Sequence, residues 1–245
     1  MYEEHPDAFQ MILDRKSARD FIERDVEEEK RQKIYQAILA APTTENMMMY
    51  TVISVNDPET RGKLSRQPAI RKAPMVLVFC ADYRRWDILF EGMTESGRKP
   101  QEGEYQLAVL DAVIAAQNAV LAAEALGLSS VYLGDIMEHY EARREALGCP
   151  VGVIPVVTLC LGYPTEAQVN RPYTKRFRQE YLIHEERYRD FGREDLLEML
   201  RDRGQYESLE QMRPWFEKFS KRCVEGKGAI ERTRSIREAV RAMDP

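Results

Sequence analysis

The sequence predicts a domain in which helices and strands are mixed, either an α/β or an α+β fold. Two continuous apolar runs, 74–81 and 154–161, are typical of strands covered by protein on both faces. A third stretch, 107–126, carries Ala, Val and Leu around almost its whole circumference, the pattern of a buried helix. In a chain of 245 residues these features indicate one large core.

The first elements follow one another in short order. Residues 26–41 place apolar side chains at helical spacing, and Pro42 ends the predicted helix. Residues 50–55 form a strand, and Asp57 is placed to cap a helix over 59–65.

Residues 84–104 contain three glycines and a proline among many charges, together with an apolar patch around Trp86. Long excursions inside compact domains are often functional, so this segment is a candidate lid over a flat substrate. The alternative is a loop that only packs on the surface.

Residues 130–133 read as a short strand that ends at Gly134-Asp135. The predicted core spans 1–194, and 195–245 form a charged helical C-terminal extension. This extension is either an arm that wraps a partner subunit or a separate interaction module.

Composition limits the classes of partner. The net charge is −5, from 36 basic and 41 acidic residues, which argues against nucleic acid as the main ligand. No apolar run reaches membrane-spanning length and no secretory signal is evident, so no membrane partner and a cytoplasmic location are expected. The four cysteines lack metal-ligand spacing, and Cys80 and Cys160 are expected to be buried thiols in a reducing compartment.

The basic stretch Arg15-Lys16-Ser17-Ala18-Arg19 is the most informative local feature. Guanidinium groups are planar forks of donors that suit phosphate, and a serine adds a neutral donor. A solvated helix end would also explain these charges. A second basic cluster follows the last strand, at Arg171, Lys175, Arg176 and Arg178.

Four segments, in this order, resemble motifs of the nitroreductase family of flavoproteins. They cover roughly 8–185 and comprise Arg15–Phe21, Ala41–Asn46, the helix from Asp111 to Gly127, and Pro155 followed by Leu161-Gly162-Tyr163-Pro164. Phosphate-loop, serine-hydrolase and zinc-protease motifs are absent from the sequence. The resemblance therefore carries the functional expectation.

The resemblance implies an α+β fold with a mixed sheet flanked by helices, a central buried helix and an intertwined homodimer. It implies bound FMN, with NAD(P)H as reductant and a small-molecule acceptor such as a nitroaromatic, a quinone or a free flavin. The larger NADPH-dependent nitroreductase and flavin reductase branch is the nearest in character. Reductive dehalogenation, dehydrogenation of a ring, or flavin or nucleotide binding without turnover stay open as alternatives.

The family pattern also assigns cofactor-binding positions, residue by residue. Arg15, Lys16 and Ser17 match the segment that contacts the FMN phosphate and ribityl chain, and Arg19 matches a cation near the ring N1 and O2. The remaining matched positions are the polar turn Thr43, Thr44 and Asn46, the ribityl-binding Gln67, the N5-side stretch Leu133, Gly134 and Asp135, and the late phosphate cations Arg171 and Lys175 or Arg176. No catalytic side chain and no metal ligand is assigned, because hydride transfer at flavin N5 depends mainly on positioning.

Three departures from the family pattern matter. Thr43-Thr44 replace a Ser-Ser pair and keep its hydroxyls. The segment 47–49 is Met-Met-Met, which either fills the core or forms a soft apolar wall beside the ring. Asp135 stands where a second glycine is frequent, so its carboxylate either alters substrate choice or faces solvent.

Overall fold

A computed structural model describes residues 8–93, 99–204 and 206–243. Its sheet has four strands, β1 (Tyr50–Ser54), β2 (Met75–Asp82), β3 (Ser129–Leu133) and β4 (Val153–Gly162). They lie in the order β1-β2-β4-β3, and the three neighbouring pairs are antiparallel. A single-residue bridge between Ser17 and Ser130 adds a parallel pairing beside β3. The predicted α+β class is confirmed.

Several helices pack against this sheet, and further helices follow the last strand in the sequence. They are α1 (Ala8–Asp14), α2 (Glu28–Leu39), α3 (Pro58–Leu64), α4 (Pro68–Lys72), α5 (Arg84–Phe90), α6 (Glu102–Ala125), α7 (Tyr140–Ala146), α8 (Glu166–Val169), α9 (Arg193–Gly204), α10 (Leu209–Cys223) and α11 (Lys227–Arg241). Short 3-10 turns cover Thr44–Asn46, Asp135–Met137 and Gln179–Tyr181.

The side chains of β2 alternate between two core clusters on opposite faces of the sheet. Met75, Leu77 and Phe79 pack with α2 and α6, whereas Val76 and Val78 pack with side chains of α3 and α4. All eight residues of β2 are buried, as the continuous apolar run predicts.

Helix α6 lies against the sheet and starts five residues before the predicted position. Its first turn is charged, and Gln101 and Glu104 form a capping box that apolar periodicity alone does not reveal. Eight of its residues are buried, yet large apolar side chains on the opposite face are 39–47% exposed: Leu107, Leu110, Val113 and Ile114. Burial around the whole circumference is therefore wrong for a single chain.

In length and composition α6 also meets the criteria for a membrane span, contrary to the expectation from the sequence. It is the one helix of the described residues that does so. Its contacts with all four strands make it the core helix of this sheet.

Residues from α11 provide caps for the start of α7. The Ser235 hydroxyl accepts from the Tyr140 amide at 3.1 Å, and the Glu231 carboxylate accepts from the His139 amide at 3.1 Å. Arg234 then joins both oxygens of Glu141 at 2.8 Å each. Because a helix start leaves unpaired N–H groups, these contacts stabilise the first turn of α7.

The chain divides into two compact units, Met1–Arg171 with Glu231–Pro245, and Pro172–Ile230. The sequence-based boundary between 194 and 195 lies inside the second unit, and the separate role of 195–245 stays a prediction. Within the candidate lid, α5 is helical, and residues 94–98 lie outside the described residues.

Candidate functional site

Contacts to backbone carbonyls join the first basic segment to Arg171, the one member of the second basic cluster that lies in the first unit. The Ser17–Ser130 bridge and the bond from the Ala18 amide to the Ser130 carbonyl, 2.9 Å, hold the first segment against the start of β3. Arg171 donates through Nη2 to the Ser17 carbonyl at 2.6 Å, and Lys16 donates to the Arg171 carbonyl at 2.9 Å. Four of the predicted cofactor-binding residues, Arg15, Lys16, Ser17 and Arg171, therefore lie in one cluster, called here the cation cluster.

The arginines of this cluster, and Arg19 beside it, have no carboxylate partner in the described part of the chain. No described carboxylate lies within 4 Å of the guanidinium groups of Arg15, Arg19 or Arg171. The neighbouring Asp20 is paired instead with Lys72, at 2.6 Å. Uncompensated guanidinium groups beside a serine form a donor set suited to a phosphate or another anion.

Glu124 of α6 lies close enough to Arg15 for the charge of Arg15 to act on the pKa of its carboxyl. Burial raises the pKa of the Glu124 carboxyl to about 7, and the positive charge of Arg15 only partly opposes this rise. Its Oε1 atom is buried and has no hydrogen-bond partner in the part of the chain that the structure describes. Near neutral pH about half of this carboxyl is therefore protonated, so it opposes the charge of Arg15 less than an ordinary glutamate would.

The polar turn 43–49 is held by a residue that the sequence analysis did not single out. Asp111 of α6 is 1% exposed and accepts from the Thr44 amide at 2.9 Å, the Thr44 hydroxyl at 3.1 Å and the Met49 amide at 3.1 Å. Thr43 also contributes, since its hydroxyl accepts from the Met48 amide at 3.2 Å. The available signal was an acidic residue inside an otherwise apolar helix, because a buried carboxylate needs donors.

The backbone of this turn is strained. Glu45, Asn46 and Met48 have φ values of 48°, 57° and 50°, in the left-handed region that side chains disfavour. Asn tolerates this conformation better than Glu or Met does. The three bonds to Asp111 therefore maintain a loop shape that these residues would not adopt alone.

The predicted N5-side stretch and Gln67 meet on the other face of the sheet. Leu133 is buried at the end of β3, and Gly134-Asp135 begin the following 3-10 turn. Asp135 accepts through Oδ2 from the Ser65 hydroxyl at 2.6 Å, and Ser65 Oγ accepts from the Gln67 amide at 3.0 Å. Ser65, which is 1% exposed, was not predicted as part of the site.

One chain does not bring the cation cluster and the polar turn together. Arg15 lies near Glu124 and the turn is bound to Asp111, and these two residues of α6 are 13 positions apart. At 1.5 Å per residue the separation along the helix is about 20 Å. Lys175 and Arg176 belong to the second unit and are exposed, and their part in the site stays a prediction.

A cavity of about 360 Å³ lies beside β1 and the end of the polar turn. Met48, Tyr35, Tyr50 and Arg85 are among its lining residues, and no residue of the cation cluster is. Among the described residues, no group of His, Cys, Asp and Glu side chains is arranged to hold a metal ion.

The Met segment 47–49 divides between two environments. Met49 is 1% exposed in the core, whereas Met48 lines the cavity. The Trp86 indole N–H in α5 donates to the Met47 carbonyl at 2.8 Å. The candidate lid and the Met segment are thus in direct contact.

Comparison with known proteins places these features in a family context. A sequence profile described as the nitroreductase family matches residues 54–163. FMN reductase (NAD(P)H) of Bacillus subtilis is 33% identical over 183 residues, which cover 72% of each chain. NADPH-flavin oxidoreductase of Vibrio harveyi is 31% identical over 192 residues, or 76% of each chain.

The likeness extends to solved structures. The NADPH:FMN oxidoreductase of Vibrio harveyi, complexed with NAD+, superposes with a TM-score of 0.77 and 26% identity. The alignment covers 95% of the present chain and 97% of that chain. Nitroreductase A of Vibrio parahaemolyticus gives a TM-score of 0.78 at 26% identity, over 95% and 96% of the two chains.

Proposed function

The chain belongs to the nitroreductase family, and we propose that it is an FMN-dependent NAD(P)H oxidoreductase. Its electron acceptor is a small molecule such as a nitroaromatic, a quinone or a free flavin. When bound, FMN would supply the chemistry by taking a hydride from NAD(P)H at N5 and passing the electron pair to the acceptor. The chain itself binds and orients these molecules.

The cation cluster is the observation that carries this proposal. FMN ends in a phosphate; the Arg171 guanidinium donates to the Ser17 carbonyl, Arg15 lies two residues before Ser17, and neither guanidinium has a carboxylate partner among the described residues. This donor set fits the phosphate end of FMN. Arg19, exposed beside the cluster, would supply positive charge near the ring, where it favours the reduced anionic flavin.

Strand β3 connects the two parts of this half-site. Ser17 pairs with Ser130 at one end of the strand, and Gly134 follows its other end. Four residues of strand correspond to about 13 Å. An elongated ligand with an anionic end could therefore contact the cation cluster and the 133–135 stretch together.

We propose a homodimer in which the second copy contributes the polar turn to this half-site. The exposed apolar face of α6 spans 107–114, on either side of Asp111 in the chain, and such faces mark protein interfaces. In a two-fold interface with antiparallel α6 helices, contacts are reciprocal. Pairing Asp111 of one copy with Glu124 of the other then places the axis near Gln117, which is on the exposed face.

One contact and one cavity bear on the choice of acceptor. The Trp86–Met47 hydrogen bond links the candidate lid to the polar turn, so a change in either segment is transmitted to the other. The cavity beside Met48 adds apolar surface next to the turn. We propose that these two segments shape the space above the flavin ring.

We also propose a cytoplasmic location. The four cysteines are free thiols, and Cys80, Cys149 and Cys160 are buried, as expected in a reducing compartment. The proposed partners are a second copy of the chain and a small-molecule acceptor.

The visible spectrum of the purified protein tests the cofactor, and anaerobic addition of NADPH or NADH tests the reductant. We expect a flavin spectrum that bleaches with at least one of the two. Arg171→Ala should lose FMN because it removes a phosphate donor, whereas Arg241→Ala, an exposed cation paired with Glu238, should keep it. A colourless wild type that takes up no added FMN would refute the proposal.

A further inference from the structure

The departure at position 135 has a defined set of contacts. Asp135 follows Gly134 directly and turns its carboxylate inward. There, Oδ2 accepts a hydrogen bond from the Ser65 hydroxyl, with 2.6 Å between the two oxygens. The two residues are 70 positions apart in the chain, and Ser65 is 1% exposed. Of the two interpretations left open by the sequence, a carboxylate that only faces solvent is therefore wrong.

The hydrogen bonds of this contact run in one direction. A serine hydroxyl can donate one hydrogen bond, and Ser65 donates its bond to Asp135. The Ser65 oxygen can therefore accept from the Gln67 amide, at 3.0 Å. Such chained bonds strengthen one another in a buried site. The carboxylate at 135 thereby determines how Ser65 presents its lone pairs to Gln67.

Gln67 is well placed to use this support. It precedes Pro68 at the first position of α4, whose Ala69 and Ile70 are buried, so its backbone is anchored from one side by packing. Its own side chain is exposed and has no hydrogen-bond partner among the described residues. The side chain is thus available to a ligand while the amide is fixed.

We propose that Asp135 is a positioning residue that acts through Ser65 to hold Gln67 against the ribityl chain of FMN. This inference rests on the proposed function. It couples the N5-side turn and the ribityl-side residue into one rigid unit, which a glycine at 135 could not do. The second oxygen, Oδ1, is buried and has no hydrogen-bond partner among the described residues.

Hydrogen exchange of the apo protein tests the relay without cofactor. In peptides that contain the Gln67 amide, Asp135→Gly and Ser65→Ala should raise the exchange rate about tenfold, because the amide loses its acceptor or that acceptor loses its anchor. Asp135→Asn keeps an oxygen that can accept from Ser65 and should stay within about threefold of wild type. Unchanged exchange in Asp135→Gly would overturn the relay.

FMN titration tests the role of the relay. Asp135→Gly should weaken FMN binding about tenfold, the equivalent of one hydrogen bond, and Asp135→Asn should restore most of it. In a Gln67→Ala background the same Asp135→Gly change should cost nothing further, because both substitutions act on one contact. Glu138→Gln, which alters a carboxylate of the same turn that is not bonded to Ser65, is the matched control.

The outcomes separate this inference from the proposed function. If Asp135→Gly binds FMN as tightly as the wild type does, the positioning role alone is overturned. Equal losses in the wild-type and Gln67→Ala backgrounds would show that Asp135 acts by another route and would also overturn it. A wild type that binds no FMN would overturn the proposed function and, with it, this role.

Discussion

Replacing Asp111 by Asn tests how the polar turn is held. The carboxylate accepts three hydrogen bonds, from the Thr44 amide, the Thr44 hydroxyl and the Met49 amide, and it is 1% exposed. An asparagine of the same shape keeps one oxygen and places an NH2 group where the other was. That group cannot accept from a backbone N–H, so one buried donor is left without a partner.

The size of the effect follows from two contributions. A buried donor left unpaired costs about 1–3 kcal/mol, so we expect the free energy of unfolding to fall by about 2 kcal/mol. The left-handed conformations of Glu45 and Met48 cost about 1 kcal/mol each. The stabilisation lost in Asp111→Asn is thus about as large as the backbone strain of Glu45 and Met48 together. The turn should therefore relax, and FMN should bind more weakly.

Urea unfolding followed by circular dichroism, with the denaturant slope checked, gives the stability change. Flavin absorbance after gel filtration gives FMN retention. Asp57→Asn is the matched control, since Asp57 also accepts two bonds, from the Thr60 amide and hydroxyl at 2.7 Å each, but at an exposed helix start. An Asp111→Asn protein within about 0.5 kcal/mol of wild type, with FMN retained, would refute this reasoning.

Three further predictions concern α6 and the C-terminal helix. Burial raises the pKa of Glu124 from 4.5 to about 7, so its favourable contribution is complete below pH 4.5 and is lost as the pH rises through 7. The unfolding free energy of wild type relative to Glu124→Gln should therefore fall by about 3 kcal/mol over that window, and a pH-independent difference would contradict this. Gln117→Cys should give a disulfide-linked dimer on mild oxidation, because the proposed axis brings the two copies of this residue together, and a monomer on a non-reducing gel would argue against that axis. Arg234→Ala should lower the thermal midpoint, because it releases Glu141 and the start of α7, and Arg234→Lys should recover part of the loss. Equal midpoints in wild type and both variants would show that Arg234 does not help to hold α11 against α7.

The fold could be predicted from the sequence where burial alone determines the structure. The continuous apolar run of β2 and its two-sided burial are examples, because a strand packed on both faces has no polar alternation. Helix α6 marks the limit of that argument. Its exposed apolar face gives the same signal as its buried face, so hydrophobicity could not distinguish contact with the sheet from contact with a partner.

Site residues could be predicted from the sequence only where ligand binding, rather than folding, explains the residue type. Arg15 was identified because guanidinium groups near a serine suit an anion, whereas Arg171 was assigned by its match to a late phosphate cation of the family pattern. Asp111, Ser65 and Glu124 were missed as functional residues, because their importance depends on which distant backbone groups they meet. No local pattern indicates that a serine at 65 will receive a carboxylate from position 135.

The proposed site thus separates two electrostatic tasks between opposite charges. Cations such as Arg15 and Arg171 lack carboxylate partners among the described residues and are directed to the ligand, whereas the carboxylates of Asp111 and Asp135 are turned inward to hold backbone amides and hydroxyls. If the buried carboxylates instead paired with the cations, the phosphate would have to displace them and its affinity would fall. Placing each acid behind a loop lets the chain shape that loop without neutralising the charge that binds the anion.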